Sequence, residues 1–131
     1  MPKTLPQKFF IKENYIIAAI NAPDDFLSKQ LLPLPAGVNT ATNFGKGPFD
    51  LQICFTKTKA EVDELIHKAI KAMKPDSYIW FCYPKGGTKA RITTDLNRDS
   101  FWEISASNGL KPVHQISIDE TWSGLRFRVE D

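Results

Sequence analysis

Asp50-Leu51-Gln52-Ile53-Cys54-Phe55, then Thr58 to Met73, then Tyr78-Ile79-Trp80-Phe81-Cys82-Tyr83, is the stretch whose reading decides the fold. The first segment alternates in the manner of a strand, and the last is the most apolar strand of the chain and is read as central. Between them, Val62, Leu65, Ile66, Ala69, Ile70 and Met73 recur at helical spacing and form one apolar stripe. Thr58 and Glu61 have the spacing of a capping box at the start of that helix, and Pro75 lies just past its end. Strand, helix and strand in this order predict a parallel pair joined by a right-handed crossover.

Outward from this unit the same alternation continues. Upstream, Tyr15 to Ile20 is a continuous apolar run that predicts a strand covered on both faces. Asn21-Ala22-Pro23-Asp24 ends it, with Asp24 as the expected N-cap of a short helix reaching about Leu32. Pro33 to Pro48 reads as a loop, long enough that a short strand around Val38–Phe44 is expected inside it. Downstream, Asn97 caps a helix over 97–108, Leu96 and Phe101 are placed to form a hydrophobic staple, and Asn108-Gly109 stops it. Val113–Ile118 and Leu125–Val129 close the chain as a hairpin. Residues 1–13 form an irregular N-terminal arm, pinned by Phe9 and Phe10, and 14–131 form one domain. The expected fold is α/β, a single small domain of two or three layers. Its sheet is mostly parallel, of about five strands, with an antiparallel C-terminal hairpin.

Composition narrows the function classes. At 131 residues one domain is expected, and a core of this size needs no disulfide or metal. A net charge of +2, with lysines and acids interleaved, disfavours a dedicated nucleic-acid surface. Cys54 and Cys82 lie in apolar runs without metal-ligand spacing and are read as buried reduced thiols, and no metal is expected. Lys8, Lys12 and Glu13 interrupt the N-terminal apolar run, so a signal peptide is not expected. No run approaches the roughly 20 apolar residues that span a bilayer. A cytoplasmic protein without membrane contact is the expectation.

The chemically specific residues collect in the last third. Lys85-Gly86-Gly87-Thr88-Lys89 follows a strand, where backbone amides can form an anion nest flanked by Lys85 and Lys89, or where the segment is simply a connector. Arg98 opens its helix against the dipole and needs an anion, either a carboxylate of this chain (Asp99, Asp119 or Glu120) or a ligand. Trp122 in the turn before Gly124 reads as a plug folded onto the core, with stacking on a partner as the alternative. Ser123 lies beside Asp119 and Glu120, but neither His67 nor His114 stands where it would serve as base. Arg126 and Arg128 share one face of the last strand and read as a solvated edge. If the strands at 78–83 and 113–118 run parallel, these pieces share the carboxyl edge of the sheet, where ligands bind in such folds.

At these residues the chain resembles a family of small bacterial proteins of unknown function. The pattern is carried by Tyr83-Pro84-Lys85-Gly86, Thr94-Asp95-Leu96-Asn97-Arg98-Asp99, and Gly109-Leu110 through Phe127. It covers roughly residues 76–129. The resemblance implies a single small cytoplasmic α/β domain and no particular reaction, cofactor or catalytic residue.

The leading expectation is a noncatalytic binding module for a small anionic ligand or an acidic partner group. It would use Lys85, Gly86, Gly87, Lys89, Arg98, Asp119, Glu120, Trp122 and Ser123. The alternative is an enzyme at the same edge, with Lys85 or Arg98 stabilising charge and Asp119 or Glu120 as base. A third reading is a structural homodimer through the hairpin edge. No cofactor is expected: a nucleotide-dependent methyltransferase or dehydrogenase would carry a glycine fingerprint after the first strand, where this chain has Asn21-Ala22-Pro23-Asp24.

Overall fold

The computed structural model describes residues 3–86 and 92–129. Its strands are β1 (Ile16–Ile20), β2 (Asn39–Ala41), β3 (Phe49–Phe55), β4 (Met73–Pro84), β5 (Leu110–Ser117) and β6 (Trp122–Val129). They form one mixed sheet in the order β2-β1-β3-β4-β6-β5. The first four are mutually parallel, and β6 runs antiparallel to both β4 and β5. The sixth strand is β2, which lies inside the 33–48 stretch where a short strand was expected.

Both faces of the sheet are covered. Helices α2 (Lys59–Lys71) and α3 (Arg98–Ser107) pack on one face, where Ala18, Cys54, Ile79 and Phe81 meet Val62, Ile66 and Phe101. The other face carries the N-terminal arm, with its helical turn α1 (Leu5–Lys8), and a π-helical turn, Phe26–Gln30. There Ile17, Ala19, Ile53 and Trp80 meet Phe9, Phe26 and Leu31. Successive residues of β1, β3 and β4 therefore enter opposite cores, which is why β1 and the 78–83 part of β4 read as apolar runs. β3 alternates in sequence, yet it is buried throughout residues 51–55. The architecture is three-layered.

Local signals place the helices. Glu61 donates its amide to Thr58 Oγ1 at 3.2 Å, while its carboxylate takes the Lys57 amide at 3.0 Å. The reciprocal bond thus lands one residue before the cap. α3 has a full box: Ser100 N donates to Asn97 Oδ1 and Asn97 N to Ser100 Oγ, both at 2.9 Å. Leu96 and Phe101 are buried in the same cluster. Gly109, at φ +71°, turns the chain out of the helix as only glycine does cheaply.

Three local expectations are corrected. Asp24 is not the cap of the turn after β1; Asp25 stands there and makes no side-chain capping bond. Met73, expected on the stripe of α2, opens β4 instead, and the strand bends at Asp76, φ +62°, before Tyr78. Finally, the hairpin's second strand is not the edge. β6 inserts between β4 and β5, burying Leu125 and Phe127 under α3, so Arg126 faces the arm rather than solvent. Its guanidinium lies 3.5 Å from the Tyr78 ring centroid and 4.3 Å from that of Phe10.

The two cysteines are free and buried, Cys54 under the helices and Cys82 under the arm. Among the described residues, no helix is long and apolar enough to cross a membrane.

Candidate functional site at the carboxyl edge

The carboxyl ends of β1 to β4 and the β5–β6 turn lie along one edge of the sheet, as β5 runs parallel to β4 with β6 between them. Part of the expected cluster does assemble there. Lys85 Nζ donates to Ser117 Oγ and to the Asp119 carbonyl, each at 2.6 Å, and its amide donates to Thr121 O. The Asp119 carboxylate accepts the amides of Thr121 and Trp122 at 2.8 and 2.9 Å and Gln30 Nε2 at 3.0 Å. Lys85 and Asp119 therefore hold the 118–122 turn, and their polar atoms are used within the chain. Trp122 is folded onto the core, its ring 5.0 Å from Phe55.

Other members do not join it. Arg98 is exposed and stacks on Trp102, with Cζ 5.4 Å from the ring centroid. Among the described residues no ion pair joins it to Asp119 or Glu120, so neither carboxylate is its clamp. The cation tolerates the helix N-terminus because it is solvated, where the dipole costs only a fraction of a kcal/mol. Burial pushes the Tyr83 phenol upward, and nearby Arg98 partly opposes the shift. Ser123 sits across from Tyr83 and Ser117 in the ladder, while His67 is exposed on α2 and the His114 ring packs on Phe10 and Trp80. Gly86 and Glu120 are exposed. Gly87 and Lys89 lie outside the described residues.

The usable space at this edge is elsewhere. The chain leaves β1 toward β2 and returns across to β3, so the topological switch point, where such sheets bind ligands, lies between β1 and β3. That crevice is filled by aromatic rings: Phe26 is fully buried with its centroid 4.8 Å from Phe55, which in turn abuts Trp122. Beside the plug, an open pocket of about 330 Å³ lies at the ends of β1 and β2. Ala19, Asn21, Ala22, Pro23, Asp24, Leu27 and Thr42 line it. Asn21 makes the turn out of β1 at φ +56°, a left-handed conformation that asparagine tolerates better than most residues. In the sequence Asn21–Asp24 read as a strand end, a helix cap and a missing glycine fingerprint, and not as part of a site. Their position directly after the first parallel strand was the available signal.

No family model matches the chain, and no curated protein matches it in sequence. Solved structures do resemble it. A ribosomal protein L11 methylase from Lactobacillus delbrueckii subsp. bulgaricus superposes with a TM-score of 0.66 at 12% identity, over 95% of this chain and 74% of that one. The DhpI–SAH complex gives 0.63 at 8% identity, over 96% and 80%. The N-methyltransferase NodS from Bradyrhizobium japonicum, in complex with S-adenosyl-L-homocysteine (SAH), gives 0.56 at 14% identity, over 88% and 78%. The fold is that of these Rossmann-like methyltransferases.

This finding corrects two expectations. The noncatalytic module for a small anion, and the leaning away from an enzyme, are overturned by likenesses to methyltransferases, some holding SAH. Among the described residues the geometry agrees on the first point, because Lys85 is internally engaged and the residues lining the open pocket include a carboxylate and no cation.

Proposed function

We propose that this chain is a methyltransferase-type enzyme that holds an S-adenosyl cofactor in the pocket at the ends of β1 and β2. The observation that carries the reading is that pocket, with Asn21, Asp24 and Thr42 as its polar groups, in a fold shared with cofactor-bound methyltransferases. S-adenosylmethionine (SAM) has a sulfonium cation, a ribose diol and an adenine ring, and no phosphate. The residues present suit it in kind. Asp24 is placed to accept from ribose hydroxyls and to favour a cation, and Asn21 and Thr42 add an amide and a hydroxyl. Ala19, Ala22 and Leu27 supply apolar surface for a ring.

The same lining argues against a dinucleotide. Pro23 has no N–H to offer, and the adjoining Asp24 and Asp25 repel a pyrophosphate. Because Ala22 and Pro23 stand where glycines would admit the ligand to the backbone, side chains must do the holding. The cofactor, when bound, supplies an electrophilic methyl group. The chain's own contribution is to bind it, with the Phe26–Phe55–Trp122 plug excluding water from one side. The family resemblance of residues 76–129, and the cytoplasmic compartment it implies, belong to this reading.

Thermal stability measured against SAM, SAH, ADP and inorganic phosphate tests it. A ligand at a hundred times its Kd adds about 2.7 kcal/mol, or several degrees. The expected result is a shift with SAM and SAH alone, reduced tenfold in affinity by Asp24→Asn, whose exposed side chain leaves the unliganded melting point unchanged. Folded protein that ignores millimolar SAM and SAH overturns the proposal.

A further inference from the structure

The N-terminal arm is attached in an unusual way. Among the described residues its backbone hydrogen bonds stay within itself: Lys8 to Thr4, Phe9 to Leu5, Phe10 to Gln7 and Ile11 to Pro6. Its one hydrogen bond to the sheet among those described is from Lys8 Nζ to Ser117 O, at 3.1 Å. The arm is therefore a self-satisfied unit held on by side chains, and it can lift without breaking a ladder bond. Phe9 makes the main attachment, fully buried edge-on against Trp80 at 4.9 Å and Phe26 at 6.2 Å.

Opposing terms gather beside that attachment. Phe10 sits at φ +62°, a conformation in which a bulky side chain is strained. Its ring covers the Arg126 guanidinium, whose desolvation lowers its pKa from the ordinary value, and whose Nε is buried without an acceptor among the described residues. Trp80, the cross-strand neighbour of Arg126, also has a buried Nε1 that finds no acceptor among the described residues. Lifting the arm relaxes Phe10 and returns water to both donors, at the expense of exposing Phe9. Asn14, φ +65°, bonded to Ala36 O, marks where the arm joins the body.

The far side of Phe9 touches the proposed site. Phe26 plugs the β1–β3 crevice and begins the turn that carries Leu27 to the pocket. We propose that residues 4–11 form a latch: docked, they hold Phe26 in the crevice, and undocked, they let the crevice open to a ligand. Resting on the reading above, this makes the arm a gate between the open pocket of the proposed site and the crevice beside it, with the crevice closed in the state described.

Native-state hydrogen exchange on the full chain tests the latch without a ligand. In the wild type, the amides of 9–11 and 29–31 are expected to exchange in step, at least a hundredfold faster than those of β3 and β4. Phe9→Ala should accelerate both segments tenfold or more and leave β3 and β4 protected. The latch is overturned if either segment opens only together with β3 and β4, or if Phe9→Ala loosens the arm and spares 29–31. Should that variant not fold, the wild-type comparison decides. Adding SAM or SAH separates the two proposals. Binding that leaves both segments unchanged overturns the gate and spares the function; absence of binding overturns the function, and the exchange rates still judge the latch.

Discussion

The side-chain amide of Gln30 donates to the carboxylate of Asp119 at 3.0 Å, joining the turn after β1 to the turn between β5 and β6 across 89 residues of sequence. The same carboxylate accepts two backbone amides of its own turn. Asp119 is thus a three-bond brace at the edge where the candidate pocket lies, and its role is positional.

Removing that brace has a graded consequence. Asp119→Ala leaves the amides of Thr121 and Trp122 and the Gln30 amide without their acceptor, a loss of about 2 kcal/mol for partly buried groups. Asp119→Asn retains an oxygen for the backbone amides and should cost less than half as much. Thermal melts of the two variants check this, and equal losses would contradict the turn-acceptor role.

Asn97 holds the start of α3 by a reciprocal pair of bonds with Ser100. Asn97→Ala should lower stability by about 1 kcal/mol, and Asn97→Asp should restore most of it by keeping the acceptor at a positive helix end. Urea denaturation midpoints at constant slope provide the measurement.

Arg126 lies against two rings, so its coupling to Tyr78 is measurable by a double-mutant cycle of Arg126→Leu and Tyr78→Leu. A coupling energy of about 0.5–2 kcal/mol is expected. A value near zero would show the guanidinium to be a bystander of the packing. Arg126→Lys should recover little, since an ammonium lacks the planar face that stacks.

The thiols make alkaline stability predictable in sign. Burial pushes Cys54 from its ordinary value near 9.0 up to about 12, and pushes Cys82 upward as well. Above pH 9 the unfolded chain sheds these protons while the folded chain keeps them, so stability falls progressively between about pH 9 and 12. Both thiols should resist a thiol reagent at pH 8 while folded and react at once in denaturant. In Cys54→Ala/Cys82→Ala protein the alkaline loss should be smaller, which a pH series of melting points would detect.

The elements legible in the sequence are those whose signals are local. Thr58, Asn97 and Gly109 mark helix ends by bonds within a few residues, and the stripe of α2 repeats at the spacing of its own backbone. Trp122 read as a plug and is one. By contrast, Met73 was misplaced because apolar character suits a helix end and a strand start equally. The place of Arg126 was missed because nothing along β6 says which strand lies beside it. Arg98 seemed to require an anion only as long as its solvent exposure was unknown.

By itself, then, the amino-acid sequence determined the alternation of strands and helices, the two-sided burial of β1, the start of α2 and both ends of α3. Hydrogen-bond capping and side-chain periodicity act over one or two turns, and they are written in neighbouring residues. Only the tertiary structure decided that β6 enters between β4 and β5, and that Lys85 and Asp119 brace a turn. It also showed that Phe26, Phe55 and Trp122 close the switch point, leaving the open space beside Asn21 and Asp24. These depend on which surfaces far apart in the chain bury one another, and that choice belongs to the whole packed core.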